Sequence, residues 1–296
     1  MLLLITGSAD GTADRIVSNY GDGIFRFNYN LWKEYKVSYS PNYWSIENPA
    51  GLVITSDTAT KAFWWKAFAY IANDDRLIKE EVKYFLKDLY GWFQTRGMSK
   101  GNSIDYHNKY GKINILGIAE KYFNIPQSVF SIALDNIQNF DNQKLIVKSL
   151  SSQVSSDNKV LMTSKIPSIG KLDKNFPWFI QNEIISKFDI TSFLCADKIF
   201  TFQRSREGLD GVDWRTHQDF NYTKQEWFPY EISKKDESNI FKLADELNIE
   251  FGRFDFMANK KNELIFLEVN ATGQWVFLDI HNKYGLMDQV IKWLKT

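Results

Sequence analysis

"FGRFDFMANKKNELIFLEVNATGQW", residues 251–275, is the stretch whose reading decides the fold. Two apolar runs flank the polar "NKKN", the pattern of an antiparallel hairpin. Paired positions in a hairpin sum to a constant, so folding about a turn near Lys261 sets Asp255 opposite Leu267 or Glu268. Glu268 and Asn270 are two apart and share one face of their strand, where Asp255 can join them. Like charges directly opposite are unfavourable unless a cation lies between them, and three hard oxygen donors suit Mg²⁺ held together with substrate phosphates. The same residues also fit an amphipathic strand with an exposed Glu and an Asn opening a turn. The rest of the chain decides between the two.

The 296 residues can bury a sizeable core and allow two or three lobes that share interfaces. Basic and acidic residues both number 36, so no global field attracts nucleic acid, anionic membrane or acidic substrates, and a charged ligand must be held by local groups. The single cysteine, Cys195, excludes an internal disulfide framework, and three scattered histidines cannot build a His-rich or Cys/His metal site. Aromatic content is high, but no basic stripe accompanies it to track phosphates, so nucleic-acid binding is not expected. "MLLLITGS" is too short an apolar run for a secretory signal, and no run approaches the ~18 residues of a membrane span. A soluble, cytoplasmic protein is the expectation.

The order of elements is α/β. "LLLITGS" reads as a buried strand, "ADGTADRIVSNYG" as a loop and helix stopped by Gly21, and "GIFRFNYN" and "GLVITSD" as further strands. A long amphipathic helix follows, ending at Gly97, so residues 1–100 form an N-terminal α/β lobe. After a polar connector, "KINILGIAEKYF" reads as a helix and "KLIVKSL" as a strand, giving a central lobe over 101–180. "PWFIQNEI", the hairpin "ITSFLC"/"KIFTFQRS", the helix "ESNIFKLADELNI", the closing hairpin and a final helix "LMDQVIKWLK" follow, with 181–296 as the C-terminal lobe.

Two further features bear on chemistry. Lys148 ends a strand of branched apolar residues; it fits an edge-strand charge, or a cation over a nucleotide's phosphates with the "SSQVSSDN" loop supplying N–H groups. That loop is not a Walker motif, lacking its G-K-[ST] ending. "VDWR" (212–215) lies in a polar loop near Arg204 and Arg206, where guanidinium forks suit phosphate oxygens or simply a solvated surface. Each signal is weak alone. Their order, a lysine strand, an apolar strand, an arginine loop, then Asp and Glu-x-Asn on a closing hairpin, resembles that of the ATP-grasp family.

Residues 104–296 resemble the ATP-grasp carboxylate–amine ligases, and more closely the ATP-grasp peptide maturases of the microviridin and graspetide type. "QNEIISKFDI", "VDWR", "FGRFDFM" and "FLEVNATGQW" are similar to that family's hinge, arginine motif, metal aspartate and Glu-x-Asn-x-x-Gly-Gln-Trp ending, and "LLLITGSADGTADRIV" with "FRFNYN" resembles its N-terminal region. The resemblance implies an ATP-grasp fold preceded by an N-terminal α/β lobe. It implies that Lys112 and Lys148 contact ATP phosphates, that Gln181, Glu183, Ile184 and Ile185 belong to the nucleotide-binding hinge, and that Asp189 lies near the ribose. Arg215 would face the γ-phosphate or acyl phosphate, Asp213 is the candidate base, and Asp255, Glu268 and Asn270 would hold Mg²⁺.

Two positions depart from the family pattern. Thr191 stands where an arginine usually follows the Glu/Asp-Ile or Glu/Asp-Leu pair, with Arg204 or Arg206 as candidate substitutes, and "FWWKAF" replaces Trp-Tyr-Arg-Arg-Pro. The implied activity is phosphorylation of Asp or Glu side chains of a ribosomal precursor peptide by ATP, then closure onto Thr or Ser hydroxyls or Lys amines as macrocyclic esters or amides. Alternatives sharing these residues are a ligase adding a free amino acid to a small molecule or protein tail, and a non-catalytic peptide-binding partner. The expected partner is the precursor peptide, leader and core; a homodimer is left open.

Overall fold

The computed structural model describes residues 1–65, 76–102, 106, 109–132, 134, 137, 144–150, 162–208, 212, 227–259 and 261–296. By internal contacts the chain divides into two compact units, 1–102 with 272–296, and 103–271.

In the first unit, β1 (Leu2–Thr6) pairs in parallel with β2 (Ile24–Asn28) and with a strand further along the chain. All five residues of β1 are buried, as a central parallel strand covered on both faces requires. Between β1 and β2 lies α1 (Gly11–Tyr20), started by Asp10, whose Oδ1 accepts from the Thr12 and Ala13 amides, and stopped at Gly21. β3 (Lys36–Tyr39), β4 (Trp44–Glu47) and β5 (Val53–Thr55) form a small antiparallel sheet. Sequence reasoning passed over β3 and β4, although "KVSY" and "WSIE" alternate across a "SPN" turn. β6 (Lys61–Trp64) is the second parallel neighbour of β1, and after α2 (Arg76–Gln94) β7 (Ser99–Lys100) completes the sheet in the order β2-β1-β6-β7.

The second unit contains α3 (Lys112–Ala119) and β8 (Ser128–Ser131). The helix expected to run to Phe123 stops at Ala119. Beyond it the chain peels away so that the Asn124 carbonyl accepts from the Phe266 amide at 2.8 Å, a bond a continuing helix could not offer. β9 (Leu145–Lys148), β10 (Ser164–Ile166) and β11 (Trp178–Asn182) join β8 in a sheet of order β10-β9-β11-β8. β12 (Phe188–Cys195) turns at Ala196 into β13 (Lys198–Ser205). β14 (Phe228–Pro229), α4 (Lys234–Leu247), β15 (Phe251–Ala258) and β16 (Leu264–Asn270) follow, and the five strands order as β14-β13-β12-β15-β16, antiparallel throughout.

Alternation along these strands separates core from site. Ile190, Phe254, Phe256 and Phe266 project to one face and pack with Leu116, Ala119, Ile240 and Leu243 of α3 and α4. Truncating such a phenylalanine to alanine costs about 3–5 kcal/mol. The intervening residues Thr191, Arg253 and Asp255 face the other way.

Residues 272–296, read from sequence as part of the C-terminal lobe, belong by contact to the first unit. They carry α5 (Leu286–Lys295), whose Trp293 meets Phe63 of β6 edge to face at 5.5 Å. The "GQW" residues lie there too. Gln274 Nε2 donates to Asp10 Oδ1 at 3.3 Å, the Thr12 hydroxyl donates to Gln274 Oε1, and Trp65 Nε1 donates to Asp10 Oδ2 at 2.9 Å. Trp275 is buried. Gln274 therefore ties the returning segment to the first turn of α1.

Candidate functional site

The site is built on the face of the five-stranded sheet turned away from the helices. Near the turn, Ala258 opposes Leu264 and Phe256 opposes Phe266; continued, that register would set Asp255 against Leu267. A bulge intervenes. Leu267 is the extra residue, and Asp255 opposes Glu268 while Arg253 opposes Asn270. One residue of slip exchanges the faces of a strand, so the bulge is what brings Glu268 and Asn270 to the side of Asp255. Gly252 lets the end of β16 approach: its φ is +152°, and a Cβ there would lie 2.9 Å from Ala271 Cα and 3.3 Å from the Asn270 carbonyl oxygen.

The Thr191 hydroxyl, directly across from Asp255, donates to its Oδ1 at 2.9 Å. Asn270 Nδ2 donates to Asp255 Oδ2, and to Glu268 Oε1 at 3.1 Å. Arg253 Nη2 reaches Asp255 Oδ2 at 3.2 Å, and Lys112 Nζ stands 4.0 Å from Glu268 Oε2 while donating to the Ser149 carbonyl at 2.7 Å. Burial pushes the Asp255 carboxyl above the ordinary carboxylate value; Arg253 opposes the rise, Glu268 adds to it, and the Thr191 and Asn270 hydrogen bonds oppose it. The Tyr106 phenol is likewise pushed up by burial and by Glu268.

Lys112, Thr191, Arg253, Asp255, Glu268 and Asn270 line a cleft of about 330 Å³ within the second unit. β9 and β11 supply another part of its wall. Lys148 and Ile146 oppose Phe179 and Gln181, so Lys148, Ile146 and Gln181 share the face turned to the cleft, while Leu145, Val147 and Ile180 pack in a separate core. Of the residues singled out from sequence, Lys112, Lys148, Gln181, Ile184, Asp189, Asp255, Glu268 and Asn270 line this cleft. Glu183 and Ile185 do not: Glu183 pairs with Lys165 at 2.8 Å, and the Ile185 side chain is exposed. Asp213 and Arg215 lie outside the described residues.

Asp189 is occupied more fully than the sequence suggested. Arg204 Nη2 donates to its Oδ2 at 2.7 Å and Arg206 Nη1 to its Oδ1 at 2.6 Å, and Arg204 lies over the Trp227 ring at 5.4 Å. Arg253 is the lining residue that sequence reasoning missed, although its two-residue spacing from Asp255 puts it on the same strand face.

Among the described residues no group of three or more His, Cys, Asp or Glu side chains is placed to hold a metal. Two carboxylates with one carboxamide nevertheless fit a hard divalent cation that takes its remaining oxygens from phosphates and water. The opposed pair is balanced here by the positive charges of Arg253 and Lys112, with the Asn270 amide as a neutral donor between the carboxylates.

No family model and no curated protein matches the sequence. Solved structures match it end to end. The macrocyclase MdnC of Microcystis aeruginosa, bound with precursor peptide MdnA, superposes with a TM-score of 0.81 at 20% identity, covering 100% of this chain and 99% of the other. The fold is that of the ATP-grasp ligases. An ATP-grasp ligase of Chryseobacterium gregarium, RiPP-associated and in complex with ADP and a leader and core peptide, gives 0.82 at 19% identity over 99% of this chain and 96% of that one. The ATP-grasp ligase PsnB, with a phosphomimetic precursor variant, Mg and ADP, gives 0.75 at 11% identity over 99% and 97%. No helix among the described residues is long and apolar enough to cross a membrane.

Proposed function

We propose that the chain is an ATP-dependent, ADP-forming ligase that closes rings in a ribosomally made precursor peptide. The observation carrying this reading is the opposed pair Asp255 and Glu268, with Asn270 beside them, across one cleft from Lys112 and Lys148. The end-to-end likeness to ligases solved with precursor peptides supports it.

Asp255, Glu268 and Asn270 would hold Mg²⁺, with the Asn270 amide turned so that its oxygen faces the ion. Bound there, Mg²⁺ neutralises the phosphate oxygens of ATP. Lys112 and Lys148 hold phosphate charge from the cleft wall, and Gln181 with Ile184, the one residue of the Glu183–Ile184–Ile185 hinge that lines the cleft, takes the adenine end. Asp189 orients Arg204 and Arg206 near the ribose end. An Asp or Glu carboxylate of the peptide attacks the γ-phosphorus; the bond to the β-phosphate oxygen breaks, giving ADP and an acyl phosphate. A Thr or Ser hydroxyl or a Lys amine then attacks the acyl carbon, phosphate departs, and the nucleophile's proton passes to a base, for which Asp213 is the candidate. Arg215 is assigned to charge on the transferring group. The compartment proposed is the cytoplasm, where ATP is available.

Incubation with Mg-ATP and short peptides encoded beside the gene, followed by weighing, tests the reading. Loss of one water per new bond is expected, with one ADP formed for each. A gain of an amino-acid mass would instead mark a ligase adding free amino acids, and peptide binding without mass change a non-catalytic partner.

A further inference from the structure

Thr191 on β12, Asp255 on β15 and Glu268 on β16 stand directly opposite one another, a row across three strands of the sheet. Asp255 is the middle of the row, and its two carboxylate oxygens are turned to different neighbours. Oδ1 accepts from the Thr191 hydroxyl at 2.9 Å, toward β12, whereas Oδ2 accepts from Asn270 Nδ2, toward β16. One oxygen of Asp255 therefore lies on the side of Glu268 and Asn270, and the other points away from them.

Thr191 is suited to keep the carboxylate so. It is buried and lines the cleft, and its partner on the far strand, β13, is the buried, apolar Phe202. Asp255 is thus the polar side chain its hydroxyl faces across the ladder. Branching at Cβ restricts χ1 and holds the hydroxyl there. So short a side chain spans one inter-strand spacing of about 4.8 Å and no more. Glu268, two strands away, is beyond it, and the effect of Thr191 on the site runs through the orientation of Asp255.

Orientation decides how many oxygens a carboxylate gives to a cation. To offer Oδ1 together with Oδ2, Asp255 must turn about χ2 and release Thr191. Mg²⁺ needs a tight octahedron, which one oxygen from each carboxylate can join while phosphate and water complete it. The larger Ca²⁺ takes about six to eight oxygens and readily uses both oxygens of one carboxylate. Resting on the ligase reading above, we infer that Thr191 determines metal specificity, selecting Mg²⁺ over Ca²⁺ by holding Asp255 to the donation of a single oxygen. It is a positioning residue, acting through Asp255 and not on the reacting atoms.

Calorimetric titration of ADP into the full chain, with saturating Mg²⁺ or with saturating Ca²⁺, tests the inference in the parent, Thr191→Val and Thr191→Ser. The quantity read is the ratio of ADP affinity with Mg²⁺ to that with Ca²⁺. Comparing this ratio between variants cancels the preference of each metal for the nucleotide itself. Thr191→Val keeps the shape and removes the donor, so releasing Oδ1 costs nothing. Affinity with Ca²⁺ should rise and the ratio fall about tenfold, the worth of one hydrogen bond to a charged group. Thr191→Ser keeps the donor and should retain the parent ratio. An unchanged ratio in Thr191→Val would overturn the inference. So would a parallel fall with both metals, which would make Thr191 a plain support of the site. If Thr191→Val melts early, Thr191→Ala, which also lacks the donor, carries the same comparison. A parent chain whose ADP binding ignores Mg²⁺ would sink the ligase reading and this inference together; a parent that depends on Mg²⁺, with a ratio unmoved by Thr191→Val, sinks this inference alone.

Discussion

Asp255 and Glu268 face one another across adjacent strands because Leu267 is bulged out of the ladder between them. Without the extra residue, the register set at the Asn259–Glu263 turn would oppose Asp255 to a leucine and send Glu268 to the core face. The bulge converts a hairpin into a paired-carboxylate site, at the cost of placing two like charges together in a half-buried cleft.

That cost makes Asp255 a residue whose charge opposes folding. Its carboxyl is raised in the folded state, so the native protein holds the proton more tightly than the unfolded chain does. Stability attributable to this group is intact below the ordinary value of about 3.9, falls as pH rises through the folded value, and stays reduced above it. Asp255→Asn should remove the penalty, its amide nitrogen turning to Thr191 and its oxygen to Asn270. In metal-free buffer at pH 7 the melting temperature should rise by roughly 2–4 °C for each kcal/mol relieved, while nucleotide turnover is lost. Thermal scans of both proteins across pH 3–8 check the sign.

Asp189 should behave in the opposite way. Arg204 and Arg206 share its carboxylate and are both largely buried. Asp189→Asn leaves two guanidinium groups facing a neutral amide and should lower stability by on the order of 3 kcal/mol. Denaturant unfolding at fixed pH measures it, and the contrast between two aspartates of one cleft is sharper than either value alone.

Gly252→Ala tests the close approach of β15 to the end of β16. The added methyl meets the backbone of Ala271 and Asn270, and a side chain strains the backbone at φ +152°. A cost of roughly 1–3 kcal/mol is expected. Because Asn270 is displaced, Mg-dependent nucleotide affinity should fall beyond what the lost stability explains, as calorimetry well below the melting point would show.

Gln274→Ala should act on the first unit alone. It removes the amide between Asp10 and Thr12 and should cost about 1–2 kcal/mol. Hydrogen exchange should quicken in α1 and the returning segment, while MgADP binding in the second unit is retained.

Much of this was legible in the sequence, because strand alternation and hairpin arithmetic are local rules. Alternation in "FLEVN" and "FGRFDF" reveals the face shared by Asp255, Glu268 and Asn270, whereas the shared face of Lys148 and Gln181 rests on the pairing of β9 with β11, which sequence reading does not make. The bulge that chose Glu268 over Leu267 had no sequence signal, since bulges are settled by packing on both sides of a strand. Arg253 could have been found by the same two-residue spacing as Asn270. Asp189 opposite Arg204 could have been found by the same hairpin arithmetic applied to "ITSFLC"/"KIFTFQRS", whereas the return of residues 272–296 to the first unit depends on pairings far apart in sequence that spacing cannot reveal.

The central claim is that Asp255, Glu268 and Asn270 together bind a divalent metal with nucleotide. It is tested most directly by calorimetric titration of ADP into the parent chain and into Glu268→Gln, each with Mg²⁺ and with chelator. The account predicts that the parent binds ADP tightly only with Mg²⁺, and that Glu268→Gln, melting no lower than the parent, loses about tenfold or more of that affinity and most of its dependence on the metal. Equal Mg²⁺-dependent affinity in the two proteins would contradict it.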